Sequence, residues 1–342
     1  MRLSFLTLAS FISLIPAATL ATEIQLEFPM ECELGKDCWI QQYPDHQPGE
    51  EYADYTCGKL AYNGHTGTDI RLKNKAEIEK GFVVKAAAEG QVRAIRNDMP
   101  DISIRETGKE AVANRECGNG LAIIHAGGYE TQYCHLKKGS IKVLPGQKVA
   151  AGDALGEVGL SGLTEFPHLE FLVRKNQQKI DPFTGGALEQ GCGKQEKSLW
   201  SAKARELMAY QPTVILQTGF TDKVPEYQQV QQGEVDTVDF SPASKAYIFW
   251  AEAMGGLSGD KIIIRMTDDK GNVLAQNEQI LDRSKATMFS YIGFPNKGGV
   301  PMNGYFSGEY EILRKQGEAY VSVAKSTAQV RVTSQPERQV QP

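Results

Sequence analysis

Apolar positions along this chain come in short runs, β-branched or aromatic, broken by glycine. Before residue 194 such runs occupy residues 81–87, 91–96, 121–125, 130–136 and 169–173, and each reads as a strand bounded by turns. A further short strand is Ile70-Arg71-Leu72. Helical spacing is scarce. Its best instance is residues 198–210, where Leu199, Ala202, Leu207 and Ala209 stand among charged side chains. After Pro212 a second strand series begins, at residues 214–216, 247–250, 261–266, 273–275, 310–313, 320–323 and 330–332. Turn signals such as Asp268-Asp269-Lys270-Gly271-Asn272 separate these strands, as in a β-sandwich. The pattern predicts an all-β chain. A first strand-rich domain spans residues 22–195. A helical linker at 196–211 leads to a β-sandwich-like domain at 212–335 and a polar tail at 336–342.

Residues 1–21 follow another rule. Arg2, the apolar run from Leu3 to Leu14, and the small residues ending at Ala21 read as a secretory signal peptide. No later stretch has the roughly 18 apolar residues of a membrane span. The length of 342 residues accommodates two domains. A formal net charge of −5 argues against sequence-independent nucleic-acid binding, which needs a basic stripe.

Six cysteines agree with export into an oxidising compartment, periplasmic or extracellular. Proximity pairs Cys32 with Cys38. Cys117 and Cys134 flank a hairpin turning at Gly127-Gly128, and Cys57 with Cys192 is the remainder. No C-x-x-C spacing supports a zinc–cysteine cluster. All six cysteines precede residue 193, so the second domain must hold by burial alone, and an exposed connection is expected around residues 195–212.

The candidate chemistry lies in the first domain. His65-Thr66-Gly67-Thr68-Asp69 places an imidazole and a carboxylate four apart at the entry to a strand. Downstream stand Tyr133-Cys134-His135-Leu136 and Pro167-His168-Leu169-Glu170-Phe171. On an extended strand His168 and Glu170 share one face while Leu169 and Phe171 share the other. Three nitrogen or oxygen ligands on separate elements, with a fourth position for water, is the layout of a catalytic zinc site. Singly, Asp69 reads as a turn cap and His135 as a core histidine; their joint placement favours a site. His125 reads as structural and His46 as a loop residue.

At these residues the chain resembles the lysostaphin-like metallopeptidases of family M23, which are peptidoglycan endopeptidases. The family's H-x-x-x-D is His65…Asp69, its Y-x-H-L is Tyr133-x-His135-Leu136, and its H-x-H stands here as His168-Leu169-Glu170. The segments Val143-Leu144-Pro145-Gly146-Gln147-Lys148-Val149-Ala150-Ala151-Gly152-Asp153 and Leu155-Gly156-Glu157-Val158-Gly159 look like the family's strand-turn-strand. The resemblance spans about residues 55–185 and implies that the 22–195 domain is an M23-type antiparallel sheet with this stretch as its core, with one Zn2+ per chain and peptide-bond hydrolysis in the bacterial cell wall. By carry-over, His65 and Asp69 are zinc ligands and His135 and His168 the catalytic pair.

Glu170 replaces the family's third ligand. It is either a carboxylate ligand at about 2.0–2.2 Å or a salt-bridged glutamate in a site without metal. Two carboxylates would weaken the metal as a Lewis acid. The alternative function is a catalytically impaired M23-fold module that activates a separate wall hydrolase. The expected partners are peptidoglycan peptides, with the C-terminal domain positioning substrate or binding a protein partner or the wall.

Overall fold

The computed structural model describes residues 23–194, 197–297 and 304–333; the signal peptide expected at 1–21 and the tail at 336–342 lie outside them. Ten strands build the first unit: β1 (Cys38–Gln42), β2 (Thr68–Leu72), β3 (Val83–Lys85), β4 (Gly90–Arg96), β5 (Asn119–Ile124), β6 (Tyr129–Leu136), β7 (Lys148–Val149), β8 (Ala154–Glu157), β9 (His168–Lys175) and β10 (Gln178–Ile180). Eight form one antiparallel sheet in the order β1-β2-β9-β6-β5-β4-β7, with β10 beside β9, while β3 and β8 pair separately.

Strand alternation decides what each face carries. Ile70 and Leu72 of β2 and Leu169, Phe171 and Val173 of β9 point into a core shared with Val84 of β3, Leu155 of β8 and Val158 just after it. Asp69 and Arg71, with His168 and Glu170 opposite them in register, occupy the other face. The three disulfides are Cys32–Cys38, Cys57–Cys192 and Cys117–Cys134, as the spacing suggests.

The second unit contains β11 (Val214–Thr221), β12 (Ala246–Gly256), β13 (Lys261–Thr267), β14 (Val273–Ile280), β15 (Lys285–Pro295), β16 (Gly304–Gln316) and β17 (Ala319–Val332). Its sheets run β11-β12-β15 and β14-β13-β16-β17. Alternating Ile262, Ile264, Met266, Phe306, Tyr310 and Ile312 meet Phe220, Tyr247 and Phe249 between them. Gly308 is required at this contact, because a Cβ there would stand 2.3 Å from the Phe249 ring. The runs expected at 320–323 and 330–332 belong to a single strand, β17.

The exposed connection expected around 195–212 is not what forms. Leu199, Trp200, Ala204 and Met208 are buried in the first core, and Trp200 packs against Phe171 and Phe183. The helix covers only residues Ala202–Leu207, and its buried side is set by Ala204 while Leu207 faces solvent. Of the apolar residues expected on the helix face, Leu199 is buried ahead of the helix while Ala202, Leu207 and Ala209 are exposed.

The two units meet on the polar face of the large sheet. Trp39 packs with Leu216 and Met254. Beside them Glu252, fully buried, accepts from Gln217 Nε2 at 2.7 Å and the Tyr227 hydroxyl at 3.1 Å, and lies 3.9 Å from Arg71 Nη2.

Candidate metal centre

His65 enters from the loop before β2, its amide donating to the Tyr62 carbonyl at 3.0 Å and its ring stacked on Tyr62. Gly67 lets this loop close on β9, since a Cβ there would stand 2.6 Å from Glu170 Cγ. Asp69 and Glu170 are directly opposed across the β2–β9 ladder. Cys134 opposes Glu170 on β6, and the ladder is irregular from there to Leu136. His135 lies in the irregularity at φ +65°, a left-handed conformation that imidazole side chains adopt at a cost. That twist aims His135 at the site. It is held by the His135 amide donating to the Cys117 carbonyl at 2.8 Å, next to the Cys117–Cys134 disulfide.

The site's side chains converge within short distances. His65 Nε2 is 3.2 Å from Asp69 Oδ1, and His168 Nε2 is 3.6 Å from the same oxygen. His135 Nε2 is 3.4 Å from Glu170 Oε2, and His65 Nδ1 is 4.0 Å from Glu170 Oε1. All five residues named in the sequence as candidate ligands or catalytic groups are brought together. His125 is not among them; its ring bonds the Glu89 carbonyl at 2.6 Å and the Thr131 hydroxyl at 2.8 Å. His46 is not a free loop residue either, for it is buried against Asp181 at 2.6 Å.

Backbone acceptors orient both catalytic candidates. His135 Nδ1 lies 2.7 Å from the Ser161 carbonyl, and His168 Nδ1 lies 2.9 Å from the Phe166 carbonyl. A carbonyl accepts only, so each Nδ1 carries the proton and each Nε2 faces the site. These acceptors were invisible in the sequence, since a carbonyl has no residue signature. The nearest available signal is polar Ser161 and Thr164 around Gly162.

Burial and charge set the protonation states. Burial pulls His168 down to about 4; Asp69 opposes this and the His135 charge adds to it. For His135 burial also works downward, but the hydrogen bond and charge of Glu170 outweigh it and hold the ring above its ordinary value. His65 is raised in the same sense, burial being outweighed by Asp69. Both carboxyls sit low: burial would raise them, but His65 and His168 prevail at Asp69, and His135 at Glu170.

The donor set fits a zinc ion. Donor atoms of His65, Asp69 and Glu170 all lie within 4.8 Å of one another. Buried His65 Nε2 and Asp69 Oδ1 have no hydrogen-bond partner, which a shared cation would remedy. One imidazole and two carboxylates suit zinc at about 2.0–2.2 Å.

Residues 63–182 match the model of peptidase family M23. Among solved structures, the SpoIIQ–SpoIIIAH pore-forming complex aligns at 18% identity and a TM-score of 0.34, over 49% of this chain and 94% of that one. A variant catalytic domain of the prophage-encoded M23 protein EnpA from Enterococcus faecalis aligns at 25% identity and a TM-score of 0.29, over 43% and 88% of the two chains. A zinc-containing peptidase from Vibrio cholerae aligns at 22% identity and 0.27, over 43% and 39%. The matched stretch carries all five of these side chains, so the likeness to peptidase family M23 covers the part of the chain that bears the site.

Proposed function

We propose that this protein is an exported zinc metallopeptidase that hydrolyses peptide bonds in bacterial peptidoglycan. The observation that carries the reading is the convergence of His65, Asp69 and Glu170 as donors with two oriented imidazoles beside them. Export is supported by three disulfides. The M23 match supports the wall as substrate.

In this reading His65, Asp69 and Glu170 hold the metal. A zinc ion held there would supply Lewis acidity and make a bound water more acidic. His168, neutral because it is buried, presents its Nε2 lone pair and takes the proton from the attacking water. His135, its Nδ1 held by the Ser161 carbonyl, turns Nε2 into the site, where it can stabilise the oxygen that gains charge at the scissile carbonyl. The Ser161 and Phe166 carbonyls prevent either ring from turning its Nδ1 inward.

One observation favours a second reading, a disarmed module that activates another hydrolase. Glu170 sits 3.4 Å from His135 Nε2, so the ligand candidate is already matched to a cation. Elemental analysis and digestion of isolated peptidoglycan separate the two. The enzyme reading expects about one zinc per chain and wall hydrolysis by the natural protein. No zinc uptake at micromolar concentrations overturns the site. An inert natural protein whose Glu170→His variant digests the wall establishes the disarmed module.

A further inference from the structure

The face that carries the metal donors is also the face on which the second unit sits. Strand β1 is the edge next to β2, with Gln42 opposite Asp69 and Trp39 opposite Arg71. A bulge between Ile40 and Gln42 crowds both glutamines toward this end of the strand. Gln41 Oε1 accepts from Arg71 Nη1 at 2.7 Å, which places its amide on the metal-bearing side. A chain laid across the donors and over β1 therefore runs into the second unit.

A cavity of ≈ 220 Å³ opens at that point. It is lined from the first unit by Gln41, Gln42, Lys59 and Leu60, and from the second by Leu257 and Lys285, among others. The volume is below the roughly 300–1,000 Å³ of pockets for drug-sized ligands, so it suits a terminal residue or two. No aspartate or glutamate contributes to its wall. Among the described residues neither lysine is ion-paired; the Lys59 ammonium bonds the Tyr52 carbonyl at 3.0 Å and lies over the Tyr52 ring. Two unmatched cations, amide side chains able to bond a peptide backbone, and an apolar floor describe a site for one end of a peptide.

We propose that this cavity between the two units is a substrate subsite that takes the end of a peptide carrying a free carboxylate. It rests on the peptide-hydrolase reading for the identity of the ligand, and it assigns the second unit a direct part in choosing substrate. Lys59 and Lys285 supply the charge contacts, and the Gln41 and Gln42 amides fix the backbone between them and Asp69.

The test is binding without turnover. The probes are N-acetyl-D-alanyl-D-alanine and its C-terminal amide, titrated by calorimetry into the full chain carrying His168→Ala, with and without chelator. The free acid is expected to bind about fivefold tighter than the amide, within the range of exposed charge pairs. The double variant Lys59→Gln/Lys285→Gln should abolish that difference, and Lys59→Arg/Lys285→Arg should keep it. Equal binding of acid and amide, or a preference that survives in the double glutamine variant, overturns the proposal. So does a preference seen only without chelator, which would locate the carboxylate on the metal. Because no hydrolysis is measured, an inert protein on peptidoglycan leaves these outcomes readable.

Discussion

The two β units of this chain reach stability by different means. In the first, strands are short, three disulfides tie the loops, and buried His65, Asp69, Arg71 and His168 crowd one sheet face. All five described non-glycine residues with positive φ lie there: Cys57, Asn114, His135, Asn176 and Gln177. In the second, strands extend to 14 residues, cysteine is absent, and Phe220, Phe240, Tyr247, Phe249, Phe306 and Tyr310 fill one core. Simple alternation is enough for a frame. A site needs strained backbone and buried charge, both destabilising, and covalent ties compensate for them.

That contrast can be tested from its largest expected effect downward. His168→Ala should lower wall hydrolysis by about 10²–10⁴-fold, the range of a lost general base, while zinc content by elemental analysis stays unchanged. Glu170→Ala should do the reverse at the metal, weakening zinc affinity by at least about a hundredfold through loss of a ligand. Glu170→His should keep the metal. If His168→Ala loses zinc as well, the division into ligands and catalytic pair is wrong.

Phe249→Ala tests the frame. It empties the centre of the aromatic core and should destabilise the second unit by about 3–5 kcal/mol, read from amide exchange in β13 and β16. Zinc affinity of the folded protein should hold. Next comes the covalent tie. Cys117→Ala/Cys134→Ala should cost the first unit about 2–4 kcal/mol by denaturant titration. Hydrolysis should fall more than zinc binding, because His135 loses its support while the ligands on β2 and β9 do not. Equal losses would show that the disulfide holds the whole sheet and not His135 in particular.

The smallest effect expected is at His125, away from the candidate site. Burial pushes this ring below its ordinary value, against the hydrogen bond to the Glu89 carbonyl. The unfolded chain therefore takes up the proton first as pH falls. The stability it contributes is complete above about 6.5, the unfolded value, and declines below it. Melting temperature should drop between pH 7 and pH 5, and less steeply in His125→Gln. An unchanged slope would remove this group from the balance.

The sequence disclosed the site better than its supports. His65, Asp69, His135, His168 and Glu170 are legible because donor chemistry and strand alternation leave residue-level marks. The Ser161 and Phe166 carbonyls leave none. Strand β15 escaped notice because Ser290, Gly293 and alternating exposure interrupt its apolar residues, and β17 read as two strands because its middle is largely exposed. The short helix at residues Tyr227–Gln232 is announced only by the Glu226–Gln229 capping box. Trp39 and Arg71 could be recognised as interface residues only once the second unit was seated on them.

Strand β12 is buried along nearly its whole length, Tyr247, Phe249 and Ala251 against the sandwich core, Glu252 and Met254 toward the sheet that carries Asp69 and Glu170. Such a strand has no solvent side on which sequence can drift. Strand β14, at the edge of the other sheet, is largely open to solvent from Val273 to Ile280. Over generations of mutation the two should diverge in opposite ways. At β14 most replacements that keep an extended backbone are tolerated. At β12 a change on one side loosens the sandwich, and a change on the other frees the second unit from the face that carries Asp69, His168 and Glu170.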